Sequence, residues 1–340
     1  MKTRLKRATL HDIAAIAGVS AQTVSRVAND QEGVSDETRK RIKHIMDELN
    51  YRPNIAARVL NNQRTFLLEV VLVDVGYMGE IGDTIAEMAK TMKEAGYNIL
   101  FTIITAAELE QTLKESAARM IDGFILLAPR LKFTDDEIVQ LSQGIPFVRM
   151  SNQLGTALPS VTYDFRLGTQ TLMAYLVGLG HRHIAEISGP LDQLNALARH
   201  EEWEKFLISQ QLPLGPSIPA KYGMQPGYEA ALELIKRGEP FTALFAGNDD
   251  LALGALRAFS EKGIRVPEDV SVIGFDDARH AAFIRPSLTT IRLDLVALGR
   301  IAAKYLIELI EDATLTPHQR VLTPELIVRE STAPARKRLE

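Results

Sequence analysis

Two sets of residues in this 340-residue chain have the types and spacing to do chemistry. The first is Gln22, Thr23, Ser25 and Arg26, within TLHDIAAIAGVSAQTVSRVAND, residues 9–30. Gln22 and Arg26 are four apart, so a helix would place them on one face, with Thr23 and Ser25 beside them. An amide pairs with an adenine edge, a guanidinium with a guanine edge, and hydroxyls reach phosphates, so this face suits a DNA major groove. The second set follows apolar runs: Asp74 after FLLEVVLV, Ser151 and Asn152 after IPFVRM, Asn248, Asp249 and Asp250 after LFAG, and Asp276 and Asp277 after VIGF. Converging carboxylates, amides and hydroxyls suit a small polyhydroxylated molecule, because they accept from and donate to paired hydroxyls. Taken singly, each acid has a plainer reading as a helix N-cap, and Asp249 is assigned to that role.

The motifs that would turn the second set into an enzyme are missing. The sequence holds no nucleophile-elbow serine, no P-loop, no GxGxxG loop and no HExxH. Asp276 and Asp277 are adjacent rather than opposed, which is poor geometry for paired-carboxylate hydrolysis. His181 and His183 sit at a helix-to-strand turn, where a structural role is favoured over a metal pair. The chain has no cysteine, hence no disulfide, thiolate metal site or cysteine nucleophile. A regulator or binding protein is the stronger class, with no metal or cofactor expected.

The elements that would position the first set are short. Thr9 with Asp12 three residues on reads as a helix start, Ile13, Ala14, Ile16 and Ala17 as its apolar face, and Gly18 as its stop. Val19 is a core position, and Ser20 caps a second helix, Ala21 to Ala28, with Val24 and Val27 inward. Ser35 caps a third helix over 36–49, whose Ile42, Ile45, Met46 and Leu49 close a three-helix core. Tyr51-Arg52-Pro53 is an extended connector, and Asn54 opens a helix to about Asn61 that is too short to be stable alone.

From Phe66 apolar runs alternate with amphipathic stretches. Residues 66–75, 98–104, 122–128, 145–150 and 161–164 read as buried strands, with helices near 80–95, 108–119 and 134–143 between them. A second series places helices near 166–179, 195–210, 226–237 and 249–262 and strands at 183–188, 242–247 and 270–275. TTIRLD (289–294), a helix over about 295–311 and LIVRE (326–330) end the pattern. Two such series predict two doubly wound parallel sheets, with ligands at the carboxyl ends of their strands. Residues 1–66 hold 12 Lys and Arg against 7 Asp and Glu, a net charge of +5, and the remainder 27 against 36, a net of -9. A basic head on an acidic body is the layout of a DNA-binding protein. No apolar run approaches the roughly 18 residues of a membrane helix, and the basic N-terminus lacks a signal-peptide core, so a cytoplasmic protein without membrane contact is expected.

The string AGVSAQTVSRVAN, its continuation VSDETRKRIKHIMDELNYRPNIAARVL over residues 34–60, and recurrent signals to about residue 332 resemble the LacI/GalR family of bacterial transcription repressors. The resemblance implies an all-α helix-turn-helix headpiece (1–50), a hinge with a short helix (51–65) and a periplasmic-binding-protein-like α/β effector domain (66–332). Its first subdomain would take about 66–164 and 295–322, its second about 165–294 and 323–332, with the chain crossing between them three times and a disordered tail over 333–340. DNA contacts are expected from Thr9, Ser20, Ala21, Gln22, Thr23, Ser25, Arg26, Asn29, Asn54, Ala57 and Leu60, the last as a minor-groove wedge. Effector contacts are expected from Asp74, Tyr77, Ser151, Arg199, Tyr222, Asn248 and Asp276, with Tyr222 stacking on the ligand.

The partners implied are pseudo-palindromic operator DNA, a sugar-like effector and a second copy in a homodimer. The tail STAPARKRLE has no heptad for a tetramer. Departures from the family pattern fall near the first strand: Asp74 is followed by VGYMGE, so Tyr77 stands in for the usual aromatics, and Glu69 replaces a usual glycine. Two alternatives stay open at this point, a corepressor-dependent regulator with a nucleobase or nucleoside ligand and a cytoplasmic sugar-binding or sugar-processing protein.

Overall fold

The structure is a computed structural model that describes residues 8–28, 32–49, 51, 64–74, 81–128, 134–150 and 152–336. Asn29, Asn54, Ala57, Leu60, Tyr77 and Ser151 lie outside the described residues, as does the short helix expected before Asn61. The chain divides into two compact units, Met1–Phe66 and Leu67–Glu340.

Among its described residues the smaller unit holds three helices, α1 (Leu10–Ala17), α2 (Ala21–Ala28) and α3 (Asp36–Glu48). A reciprocal cap starts α1: the Thr9 backbone N and Oγ1 donate to Asp12 Oδ2 at 2.8 and 2.7 Å, and Asp12 N donates to Thr9 Oγ1 at 3.3 Å. Gly18 ends α1 at φ 65°, a left-handed conformation that glycine adopts without a Cβ penalty. Ser20 and Ser35 accept from Thr23 N and Thr38 N to open α2 and α3. Ile13, Val24 and Ile42 are fully buried where the three helices meet, and Ala14, Ala17, Val27, Ile45 and Met46 surround them. Two expected core residues are not there. Ile16 is 59% exposed because it lies roughly 110° round the helix from the Ile13–Ala14–Ala17 stripe. Leu49 is the C-cap of α3 and is 37% exposed.

The larger unit contains two parallel sheets. The first strands and helices are β1 (Leu67–Val73), α4 (Ile81–Glu94), β2 (Asn98–Ile104), α5 (Leu109–Ala118), β3 (Gly123–Leu127), α6 (Asp135–Ser142), β4 (Phe147–Met150) and β5 (Ser160–Tyr163). The second run is α7 (Phe165–Gly178), β6 (Ile184–Ser188), α8 (Leu194–Ser209), β7 (Ser217–Pro219), α9 (Met224–Arg237), β8 (Ala243–Ala246), α10 (Asp249–Glu261) and β9 (Ser271–Ile273). β10 (Thr290–Arg292), α11 (Leu295–Glu311), β11 (Gln319–Leu322) and β12 (Glu325–Ile327) follow. The six-stranded sheet has the order β11-β5-β4-β3-β1-β2, and the four-stranded sheet β7-β6-β8-β9. All pairings in both are parallel, whereas β10 and β12 form a separate antiparallel pair. In both sheets the second strand lies outside the first and the third turns back to its other side, so each has a switch point, between β1 and β3 and between β6 and β8.

Central strands β3, β5, β6 and β8 are buried along their whole length, as strands covered by helices on both faces must be. α9 and α10 approach backbone to backbone: a Cβ on Gly254 would stand 2.0 Å from the Met224 carbonyl oxygen. Three expectations need correction. β2, read as buried, is an edge strand with Phe101 40% and Ile103 66% exposed. β7 and β11 went unforeseen, since each has only three or four residues, most of them partly exposed. The tail does not loosen at 333: Ala333 N donates to Ser271 Oγ, Ala335 N to the Leu179 carbonyl, and Arg336 to Asp269. No helix among the described residues is long and apolar enough to cross a membrane.

Candidate functional site

In the smaller unit α2 presents a divided surface. Val24 and Val27 are buried, Gln22 and Arg26 are exposed, and Ala21, Thr23 and Ser25 are half-buried between them. Ser20 Oγ caps α2 by accepting from Thr23 N and lies 2.9 Å from Thr23 Oγ1, while Thr9 caps α1. The exposed side chains of α2 are the Gln22 amide and the Arg26 guanidinium, whose donors and acceptors match base edges.

In the larger unit a cleft of about 820 Å³ opens where strands of both sheets end. Asp74 reaches it from the end of β1 and Asn152 from beyond β4. Asn248 follows β8, Asp276 follows β9, and Arg199 and Tyr222 come from α8 and the turn before α9. Asp74, Asp276 and Asp277 have φ of 50°, 110° and 58°. Non-glycine residues held in that region at strand ends are strained, and such strain concentrates at functional sites.

Arg199 is the centre of the arrangement. It is 2% exposed, its Nη2 donates to the Tyr222 hydroxyl, and its Nη1 lies 3.7 Å from Asp276 Oδ1. The guanidinium sits 4.7 Å from the Phe275 ring centroid, with Phe165 at 5.7 Å and Tyr222 at 5.8 Å. Rings on several sides hold a cation without neutralising it. Burial pushes the Asp276 carboxyl up to about 6, Asp250 adds to the effect, and Arg199 opposes it. Burial likewise raises the Tyr222 phenol. The Tyr222 ring needs Gly189 at the end of β6, where a Cβ would come within 2.6 Å of it. Tyr222 thus positions Arg199, besides offering an aromatic surface.

The acids at the strand ends divide into two groups. Asn248, not Asp249, is the N-cap of α10: its Oδ1 accepts from Leu251 N at 2.9 Å, which leaves its NH2 for the cleft. Asp249 turns inward and accepts from Ala278 N and Thr290 Oγ1, both at 2.6 Å. Asp277 is held by Arg292 and Arg329 at 2.7 and 2.6 Å. Asp249 and Asp277 therefore pin the chain around the cleft. His181 is also structural, with Nδ1 2.9 Å from Thr242 Oγ1 and Nε2 3.0 Å from the Ala333 carbonyl.

Residues 9–54 match the family of bacterial regulatory proteins, lacI family, and residues 173–332 match the periplasmic binding protein-like domain. The lactose operon repressor of Escherichia coli (strain K12) is 30% identical over 336 residues, 96% of this chain and 91% of that protein. The repressor PurR of Haemophilus influenzae (strain PittEE) is 34% identical over 339 residues, 95% of this chain and 98% of PurR. The chain belongs to the lacI family of bacterial regulatory proteins.

Solved structures of other lacI-family proteins agree. A lac repressor dimer bound to operator and the anti-inducer ONPF aligns at a TM-score of 0.85 with 29% identity, over 96% of this chain and 100% of that one. A complex of the regulator CelR with cellobiose aligns at 0.70 with 30% identity, over 96% and 100% of the two chains. In this family member the cleft has further polar lining that the sequence reading missed: Asp83, Asp192, Asn195, Lys221, Arg279 and His280. Asp192 and Asn195 follow β6 in SGPLDQLN, a strand end as legible as the others. Asp83, Lys221 and Arg279 had no such marker, lying in a helix turn and two loops.

Proposed function

We propose that this protein is a transcriptional repressor that binds a pseudo-palindromic operator as a homodimer and is controlled by a sugar-like effector in the cleft. One observation carries the reading: a single chain joins a capped helix-turn-helix with Gln22 and Arg26 outward to a cleft in which the buried Arg199 lies beside the half-buried Asp276. A guanidinium, a carboxylate and the free amide of Asn248 give donors and acceptors for neighbouring hydroxyls. The relatives support both halves, since the lac repressor dimer binds operator and CelR binds cellobiose. On this reading α2 enters the major groove, and Gln22 and Arg26 contact bases. The protein works in the cytoplasm as a regulator and not as an enzyme, and Asp74, Arg199, Tyr222, Asn248 and Asp276 form the effector set. A mobility-shift assay on DNA upstream of its own gene tests the first half. Repeating it with a panel of neutral mono- and disaccharides tests the second. A specific complex that one sugar dissolves is the expected result, and absence of sequence preference would overturn the proposal.

A further inference from the structure

The two halves of the larger unit are joined across the cleft by a pair outside the proposed effector set. Arg279 Nη2 donates to Asp83 Oδ1 at 2.7 Å and to Oδ2 at 2.6 Å, over 196 residues of sequence. Asp83 belongs to the first turn of α4, on the half with the six-stranded sheet, and Arg279 to the loop after β9, on the other half. Both residues line the cleft, yet they are 46% and 85% exposed, which puts them at its mouth.

Their backbones are firmly based. Ala278, next to Arg279, donates its N–H to the buried Asp249 carboxylate at 2.6 Å. α4 packs on α11 so closely that a Cβ on Gly299 would stand 2.4 Å from the Thr84 carbonyl oxygen. With both bases fixed, the bridge forms only while the halves stand within reach of the Arg279 side chain. We propose that Asp83 and Arg279 form a clasp that holds the cleft closed and makes its closure sensitive to salt. Closure by the clasp does not depend on which molecule the cleft binds.

Water reaches both side chains, so added ions screen the pair. Its leverage is that of an exposed ion pair, up to about a fivefold change in the open-to-closed ratio. The chain lacks cysteine, so spin labels can be placed on the full-length protein through Gln140→Cys on α6 and Lys236→Cys on α9, both exposed sites. Distances are read in dimers that carry one labelled chain. In low salt the parent should give one short, narrow distribution, and Arg279→Ala or Asp83→Ala should add a longer component. Sodium chloride at about 0.5 M should shift the parent the same way and leave the single variants unmoved, since screening removes what they already lack. The exchanged pair Asp83→Arg with Arg279→Asp should restore the short distance. Single variants that superimpose on the parent would overturn the clasp, as would an exchanged pair that stays open. A thermal melt of each variant confirms that these exposed substitutions leave the fold intact.

Discussion

Asp276 carries more of the proposed chemistry than any other single residue. Burial lifts its carboxyl to about 6, so near neutrality it is ionised and at pH 5 mostly protonated. A hydroxylated effector that needs the carboxylate as acceptor should bind roughly tenfold more weakly at pH 5 than at pH 7.5, in calorimetric titrations. Asp276→Asn should flatten that profile. Stability runs the opposite way. The folded value lies above the ordinary 3.8, so the stability linked to its proton is complete below 3.8 and is lost as pH rises through about 6. Asp276→Asn should therefore melt higher than the parent at pH 7.5, with the difference closing near pH 4. On α2, Arg26→Ala should lose about 1–3 kcal/mol at the base that Arg26 reads and relax preference there. Equal loss on every DNA sequence would show a phosphate contact instead. How legible these residues were varies with their surroundings. Strand ends point to Asp74, Asn248 and Asp276 because parallel sheets put ligands there, while Arg199 rested on family resemblance. Sequence alone sets the cap of α10 one residue late, because Asn248 and Asp249 can both cap and only tertiary packing turns Asp249 inward.

Element by element, the local code is strongest where side chains satisfy backbone ends. The Thr9–Asp12 cap, Gly18 and the Ser20 and Ser35 caps all lie where residue type alone places them. Thr9→Ala should destabilise the smaller unit by about 1 kcal/mol, and Gly18→Ala by a similar amount because alanine resists φ of 65°. The measurement is its melting transition, followed by amide hydrogen exchange of α1. At the end of β6, Gly189→Ala forces the Tyr222 ring away and with it the support of Arg199. Effector affinity should fall by at least tenfold, in line with the roughly 1–3 kcal/mol of an overpacked site, while operator affinity stays near the parent value. Elements set by tertiary partners were less legible. β11 is a strand because β5 pairs with it, from Gln319 opposite Ser160 to Leu322 opposite Tyr163. β2 carries the apolar sequence of a buried strand, yet it forms an edge of the six-stranded sheet, a position that periodicity does not encode.

Across the whole molecule, the charge division gives each unit its part: +5 on residues 1–66 favours DNA, and -9 on the remainder resists it. What has to be explained is how a molecule in the cleft could alter DNA binding by another unit. Arg199 and Asp276 stand on one half of the larger unit and Asp74 on the other, so a ligand that touches both sets favours one relation between the halves. It shifts that equilibrium only by its difference in affinity for the two states. In sequence, β1, in the first half, directly follows the DNA-reading unit. A ligand that shifts the half holding β1 therefore acts at the point where the chain leaves the DNA-reading unit, and can alter operator binding there. If so, the coupling is a free energy shared by two ligands, and it must be reciprocal. The factor by which effector weakens operator binding must equal the factor by which operator weakens effector binding. Titrating effector with and without operator DNA, and operator with and without effector, measures both. Asp276→Ala should abolish effector binding, leave operator affinity near the parent value and remove the response. If Asp276 served only to shape its turn, that variant would melt lower and still respond, and the switch would lie elsewhere. Unequal factors would mean that a third state, such as dissociation of the dimer, takes part. Repeating the titrations over a range of protein concentrations would expose it, because only assembly depends on that variable.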